Sequence, residues 1–170
     1  MLPPRVVEEL LKLEQFSSKI WEPCCGGGHI SETLIKHGYE VRSTDIVNHG
    51  YGQAGIDFLA QTEPIDMDIV TNPPYIQAQA FVERAVVLLM KGHKAAMFLR
   101  LAFLETQARK VLFDRSPPAR VHVASQRFGC AKNGEFKVRS NGELYYPSSV
   151  AYAWFVWEAG YTGPTIIDWF

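Results

Sequence analysis

Short apolar segments of strand length alternate with segments of helical periodicity along most of this chain. The pattern predicts strands at 20–25, 40–46, 66–71, 94–101, 120–127 and 150–157, and helices at 6–16, 30–37, 77–90 and 104–113. Strands that alternate with helices form a mostly parallel sheet with helices on both faces, which is an α/β fold. Only a loop, 128–149, separates the last two strands, so we expect an antiparallel hairpin at the end of the sheet.

The composition is typical of one globular domain. The chain has 170 residues, of which 47% are hydrophobic and 21% are charged. No apolar run reaches the roughly 18 residues of a membrane span, and the first residues have no apolar signal core, so we expect a cytoplasmic protein without a membrane contact. Its three cysteines form no C-x-x-C pair, so neither a disulfide framework nor a zinc or other metal site is expected.

Charge is unevenly distributed along the chain, although the net charge is only -1. Residues 1–75 carry eleven acids and five bases, whereas residues 76–170 carry seven acids and twelve bases. The stretch 115–139 alone holds six bases against one acid, Glu135. Such a stretch can contact phosphates of a nucleic acid, but a mixed solvated surface explains the charge distribution equally well.

A glycine-rich turn, Gly26-Gly27-Gly28, follows the first predicted strand and precedes a helix. A turn of this kind lets the backbone approach a ligand closely, and the carboxyl ends of strands are where open α/β sheets bind ligands. Ser31 stands where the dinucleotide pattern requires its third glycine, and the Gly-Lys-Ser/Thr ending of a P-loop is missing. The turn therefore predicts a nucleotide-type cofactor and disfavours NAD and FAD.

Three acids follow the ends of successive predicted strands. Glu22 lies at the end of the first strand, Asp45 ends the second, and Asp57 lies in a third short segment, 55–59. Asp45 follows Gly28 by 17 residues, close to the spacing at which an acid meets ribose hydroxyls. An acidic pocket also suits S-adenosylmethionine, which carries a sulfonium and an ammonium group. Each acid alone is better explained as a cap or surface residue, and only the ordered set indicates a cofactor site.

The tetrapeptide Asn72-Pro73-Pro74-Tyr75 comes directly after a buried predicted strand. The two prolines fix a rigid, extended turn that holds Asn72 at the end of the strand. The Asn72 amide oxygen and the Pro73 carbonyl can accept both hydrogens of a planar amino group, which favours a pyramidal nitrogen able to attack a methyl group. Tyr75 offers a face for stacking, worth ~1–3 kcal/mol per base. The alternative is an ordinary Asn-Pro turn with a packed tyrosine.

These segments resemble the motifs of class I S-adenosylmethionine-dependent methyltransferases that methylate amino groups. Residues 21–28 are similar to the cofactor motif of that family, and 72–75 to its catalytic motif. Residues 2–7 resemble a segment that closes over the methionine moiety in some members. The motif order is similar to the gamma group of DNA adenine methyltransferases. Four further segments resemble small phage and prophage methyltransferases: 45–52, 57–59, 98–105 and 151–157.

The resemblance implies a Rossmann-like sheet of seven strands, S-adenosylmethionine as cofactor and methyl transfer to N6 of adenine in DNA. It implies that Glu22, Gly26 and Gly28 contact the methionine part of the cofactor. It also implies that Asp45 binds the ribose and that Asp57 binds the adenine amine. Further cofactor contacts are expected from neighbouring residues, namely Pro23, Ile46, Phe58 and Asn72. Residues 72–75 would be catalytic, and the substrate would be bound by Tyr75, Arg127 and Phe128.

Several alternatives stay open at this point. The same tetrapeptide serves any planar amide or amine, so adenine in RNA and glutamine in a protein are alternative acceptors. A cofactor-binding subunit that needs a catalytic partner is the alternative outside the enzymes. The gamma group usually carries a target-recognition domain after its last catalytic strand, and we expect residues 1–170 to form one domain without it. Low specificity, a single-stranded target, a partner subunit or a homodimer would each fit that expectation.

Overall fold

The computed structural model describes residues 2–126 and 150–170, together with the backbone of two short strands at 137–138 and 144–145. The helices are α1 (Pro4–Leu13), α2 (His29–Lys36), α3 (Ala78–Leu88) and α4 (Gln107–Arg115). The strands are β1 (Lys19–Glu22), β2 (Glu40–Asp45), β3 (Gln53–Ala54), β4 (Asp68–Thr71), β5 (Lys94–Arg100), β6 (Arg120–Val123), β7 (Lys137–Val138), β8 (Leu144–Tyr145), β9 (Tyr152–Glu158) and β10 (Ile166–Trp169). Among the described helices, none is long and apolar enough to cross a membrane.

Eight strands form one mixed sheet in the order β10-β6-β9-β5-β4-β1-β2-β3. β9 runs antiparallel to both of its neighbours, β5 and β6, whereas the other paired strands of this sheet are parallel. The predicted mostly parallel α/β sheet with an antiparallel end is therefore confirmed. The sheet has eight strands rather than seven, because β10 adds a parallel edge strand beside β6.

Several predicted boundaries were wrong: α1 ends at Leu13 rather than 16, for example, and β1 ends at Glu22 rather than 25. The short segment at 55–59 holds a 3-10 turn, Phe58–Ala60, and the third strand lies just before it at Gln53–Ala54. The fourth helix begins at Gln107 rather than 104, because Leu101–Leu104 forms a 3-10 turn and Thr106 caps the helix that follows. The sixth strand ends at Val123 rather than 127.

The sheet separates two apolar cores, and this explains the helices on both of its faces. Neighbouring residues on each central strand alternate between the cores: Ile69 and Val70 on β4 face opposite sides, as do Trp154 and Phe155 on β9. On one side α1 and α2 cover the sheet, and on the other α3 and α4 cover it. The buried indole N–H of Trp154 donates to the Val6 carbonyl at 3.0 Å and so fixes α1 to the central sheet.

A buried ionic network lies around Glu14, just after α1. The Glu14 carboxylate accepts hydrogen bonds from Lys94 Nζ at 2.9 Å, His122 Nε2 at 2.9 Å and Arg120 Nη2 at 3.1 Å. The other ring nitrogen of His122 bonds to Asp168 of β10. Burial alone would raise the pKa of Glu14, but the bonds from His122, Arg120 and Lys94 outweigh burial and lower it to about 2. The network joins α1 to β5, β6 and β10.

Candidate active site

A cavity of about 440 Å³ opens where β1, β2 and β4 end at their carboxyl edge. Because parallel strands end at the same edge of a sheet, the residues that follow them converge there. Cavities of this size hold small-molecule ligands and cofactors in other proteins. Nine residues that the sequence assigned to the site line its wall: Pro23, Asp45, Ile46, Asp57, Phe58, Asn72, Pro73, Pro74 and Tyr75.

Asp45 connects the wall of this cavity to the glycine turn. One carboxylate oxygen accepts the Gly26 backbone N–H at 2.9 Å, and the other accepts the Val47 N–H at 3.0 Å. Each carboxylate oxygen has two lone pairs, so both retain capacity for one more donor. Asp45 therefore fixes the turn and can still accept hydrogen bonds from a ligand in the cavity.

Glu22 lies behind the site, among the buried polar residues, and is not among the described lining residues of the cavity. Its carboxylate accepts the backbone N–H of Ser31 at 2.8 Å and also the Ser31 hydroxyl. Burial raises the pKa of Glu22 to about 8, although the Ser31 hydrogen bonds oppose that shift. Glu22 thus anchors the start of α2 to the end of β1.

The glycine turn has different requirements at its two ends. Gly26 has a positive φ of 49°, and a Cβ at this position would meet no atom within 4 Å. Gly28 has a φ of 84°, and its Cβ would lie 2.5 Å from the ring of Tyr51. Neither glycine is among the described lining residues of the cavity. Gly28 is therefore required by the left-handed backbone at the start of α2 and by the packing of Tyr51.

Asn72 carries the most unusual polar atom of the site. Its Oδ1 is buried and has no hydrogen-bond partner within the part of the chain that the structure describes. A buried acceptor left unsatisfied costs about 1–3 kcal/mol, so such atoms in native proteins require an explanation. The Asn72 side chain belongs to the cavity wall, so an N–H donor bound in the cavity would satisfy this atom.

The turn after Asn72 is rigidly connected to α3. The Gln77 backbone N–H donates to the Pro74 carbonyl at 2.9 Å, and Pro73 is buried whereas Pro74 is exposed. Tyr75 is half-buried, and its ring centroid lies 5.7 Å from that of Tyr152. The tetrapeptide thus presents an amide, a proline pair and an aromatic ring to one cavity.

The wall also contains residues that the sequence did not assign. These are Cys24, Val47, His49, Ile56, Leu59, Gln77 and Phe81. Phe81 lies on α3 and stacks on Phe58 with ring centroids 5.1 Å apart, so it supports the apolar wall, and only the packing of α3 brings it there. Burial, with help from the Asp45 and Glu22 carboxylates, raises the pKa of the Cys24 thiol far above its usual value. A raised pKa favours the neutral thiol, which is a weaker nucleophile than the thiolate.

Two predicted substrate contacts, Arg127 and Phe128, lie outside the described residues. Of the basic stretch 115–139, Arg120 belongs to the Glu14 network and is therefore not a surface contact for phosphate. No group of three or more His, Cys, Asp or Glu side chains that could hold a metal ion occurs within the ranges that the structure covers.

Neither a protein-family model nor a curated protein matches this sequence, but solved structures match its fold. A candidate class I S-adenosylmethionine-dependent methyltransferase from Listeria monocytogenes superposes with a TM-score of 0.62 and 12% identity over 99% of this chain and 65% of that one. The 23S rRNA methyltransferase ErmE has a TM-score of 0.55 and 16% identity, covering 91% and 67%. TrmN from Thermus thermophilus has a TM-score of 0.52 and 18% identity, covering 92% and 48%.

This chain spans about two thirds of the length of the first two proteins and about half of the third. At these low identities the likeness establishes the fold alone. The chain has the Rossmann-like fold of class I S-adenosylmethionine-dependent methyltransferases, as the sequence predicted.

Proposed function

We propose that this chain is an S-adenosylmethionine-dependent methyltransferase that acts on an exocyclic amine, N6 of adenine in DNA. The observation that carries the proposal is the buried Oδ1 of Asn72 in the wall of the active-site cavity, which has no hydrogen-bond partner among the described residues. Methylation of an amine requires a hydrogen-bond acceptor that holds an N–H of the amine while the nitrogen lone pair points at the methyl donor. Asn72 supplies that acceptor on a rigid turn at the end of β4.

The residues of the cavity fit the cofactor. Asp45 offers carboxylate lone pairs to the ribose hydroxyls, and the exposed carboxylate of Asp57 suits the adenine amine. Ile46 and Phe58 provide apolar surface for the adenine ring, and Pro23, which precedes the glycine turn in the sequence, lines the same cavity. When bound, S-adenosylmethionine supplies a methyl group on a positively charged sulfur, and nearby carboxylates favour that charge.

The protein contributes to catalysis mainly by orienting the amine that receives the methyl group. Asn72 Oδ1 and the Pro73 carbonyl accept the two hydrogens of the target amine, and Tyr75 provides aromatic surface for the base. The amine becomes acidic as it gains the methyl group and gives one proton to water, so no strong base is needed beside it; the cofactor would leave as S-adenosylhomocysteine. A base inside a duplex cannot reach such a cavity, so the target is flipped out or taken from a single strand.

RNA is the second candidate acceptor, because one of the similar structures is that of a 23S rRNA methyltransferase. The tetrapeptide can accept hydrogen bonds from the same adenine amine in either nucleic acid, so the active-site cavity alone does not discriminate between DNA and RNA as substrates. A protein glutamine shares the planar amide, but it has no aromatic base to stack on Tyr75.

The proposal is tested by incubating the purified protein with methyl-labelled S-adenosylmethionine and separate pools of DNA, RNA and protein. We expect label in the DNA pool, as N6-methyladenine, and none in the protein pool. The Asn72→Ala protein should bind the cofactor and transfer no label. Label in RNA alone would move the proposal to the second candidate. Transfer to protein alone, or to no pool despite cofactor binding, would contradict it.

A further inference from the structure

A second pocket, of about 240 Å³, shares Tyr75 with the active-site cavity. We call it the arginine pocket, because Arg100 and Arg109 line it together with Tyr75, Ile76 and Phe103. It lies where β5 ends, beside the tetrapeptide that follows β4. A ligand that fills both spaces would therefore pass directly over Tyr75.

Arg100 is the last residue of β5, and its side chain is exposed. Its guanidinium carbon lies 5.0 Å from the centroid of the Tyr75 ring. Arg109 lies on α4, with its guanidinium carbon 4.5 Å from the centroid of the Phe103 ring. Both charges are thus held against aromatic rings, which fixes their position at the pocket without neutralising them.

Backbone acceptors hold Arg109 further in place. Its Nη1 donates to the Ala102 carbonyl at 2.8 Å, and a longer contact reaches the Glu105 carbonyl at 3.5 Å. These bonds use one of the two terminal nitrogens, and a guanidinium has five N–H donors. The remaining donors can form the paired hydrogen bonds that arginine makes with phosphate.

Elsewhere in the structure a partly buried arginine is paired with carboxylates. Arg120 pairs with Glu14 and with Glu158, at 2.8 Å for the latter. For Arg100 and Arg109, in contrast, no salt bridge with a carboxylate occurs within the covered ranges. Two cations without a carboxylate at one pocket create a positive potential that attracts an anion.

The rim of the arginine pocket is apolar. Ile76 directly follows the tetrapeptide, and its side chain is 100% exposed. Leu99 and Phe103 add apolar lining inside the pocket, so cations and apolar surface occur together there. Cations beside apolar surface match a nucleotide, which combines a phosphate with a flat base.

We propose that the arginine pocket binds the nucleotide next to the target base, with Arg100 and Arg109 contacting its phosphate and Ile76 contacting its base. This inference rests on the proposed function and names a nucleic-acid strand as the substrate class of that site. Since Tyr75 belongs to both spaces, a strand with its target base in the active-site cavity places a neighbouring nucleotide at the arginine pocket. The contacts are to phosphate and apolar surface, so they hold the strand without selecting its sequence.

The test measures kcat and KM for denatured genomic DNA, with labelled S-adenosylmethionine, at several salt concentrations. The variants are Arg100→Gln and Arg109→Gln. Arg115→Gln is the matched control, because Arg115 also lies on α4 but lines different pockets. Thermal unfolding and cofactor binding of each variant establish that it is folded.

We expect each pocket variant to raise KM for DNA about tenfold with kcat little changed. Each should also lower the slope of log KM against log salt by about one, because one phosphate contact is lost. Arg115→Gln should change neither quantity. If the wild type methylates DNA while both pocket variants keep its KM and salt slope, the inference is wrong and the proposed function stands. If the wild type transfers methyl groups only to protein, both proposals fail.

Discussion

The Asp45 carboxylate accepts the backbone N–H of Gly26 at 2.9 Å, which joins the end of β2 to the glycine turn that follows β1. The second carboxylate oxygen accepts the Val47 N–H at 3.0 Å. One side chain thus sets the shape of the turn and contributes to the wall of the active-site cavity. Cofactor binding and local stability are expected to depend on the same group.

Asp45→Asn tests this dual dependence. An amide has one acceptor oxygen, so either Gly26 or Val47 would face an NH₂ group instead of an oxygen. We expect cofactor affinity to fall at least about tenfold and the free energy of unfolding to fall by about 1–3 kcal/mol. Calorimetric titration with S-adenosylhomocysteine and urea unfolding measure the two effects.

Asp57→Asn is the control for that experiment, because Asp57 is exposed and its Oδ1 accepts only the Leu59 N–H in the described structure. This variant should weaken cofactor binding and leave the free energy of unfolding nearly unchanged. Unchanged cofactor affinity in Asp45→Asn would show that this carboxylate serves the fold alone.

Asn72 and Thr71 provide a matched pair, because each has a buried side-chain oxygen without a partner in the described part of the chain. Removing either oxygen relieves a desolvation penalty of about 1–3 kcal/mol. Thr71→Val should therefore raise the melting temperature and retain methyl transfer. Asn72→Ala should abolish methyl transfer without lowering the melting temperature much. Methyl transfer by Asn72→Ala at the wild-type rate would remove Asn72 from the mechanism.

Gly28→Ala should destabilise the protein for two reasons. The backbone there has a φ of 84°, and the new Cβ would lie 2.5 Å from the Tyr51 ring. A left-handed conformation costs a non-glycine residue roughly 1–2 kcal/mol, and the contact with Tyr51 adds to that. Urea unfolding of Gly28→Ala, with and without Tyr51→Ala, separates the two effects. We expect the second substitution to restore part of the loss, and no loss at all in Gly28→Ala would contradict the geometry.

The Glu14 network gives stability a defined dependence on pH. The pKa of Glu14 falls from 4.5 to about 2 on folding, so its contribution is present above pH 4.5 and is lost as the pH falls toward 2. Burial would lower the pKa of His122, but its bonds to Glu14 and Asp168 raise it above 6.5, so its contribution is present below pH 6.5 and is lost as the pH rises through the raised value. The network should therefore stabilise the fold most between pH 4.5 and 6.5.

Urea unfolding of the wild type and of Glu14→Gln across pH 3 to 9 measures this dependence. The difference between the two proteins should be largest in the window between the two ordinary pKa values and smaller on either side. A difference that is constant over the whole range would show that the network does not titrate as its contacts require.

The sequence predicted the part of the site that follows from strand order. Asp45 is the last residue of β2, and Asn72 directly follows β4. Because the carboxyl ends of parallel strands lie at one edge of the sheet, the two residues meet there. The mixed sheet with its antiparallel end could be predicted because the sequence indicates no helix between the last two predicted strands. The rigid Pro73–Pro74 turn could likewise be predicted, because proline fixes the local backbone.

What the sequence could not predict depends on contacts between distant segments. Glu22 has the position of a cofactor ligand, but its partner is Ser31 on α2. Arg120 belongs to a basic stretch, yet it pairs with Glu14, which lies more than a hundred residues earlier in the chain. The edge strand β10 is mostly exposed, and its sequence, Ile166-Ile167-Asp168-Trp169, does not alternate apolar and polar residues, so its pattern does not indicate a strand.

Whether Asn72 presents an adenine amine for methylation can be measured inside cells, in a host that lacks N6-methyladenine. DNA from cells that express the wild type, and from cells that express Asn72→Ala, would be digested and its N6-methyladenine measured by mass spectrometry. We expect N6-methyladenine in the first sample and none in the second. Equal amounts of the modified base in both samples, or none in either despite folded protein, would contradict it.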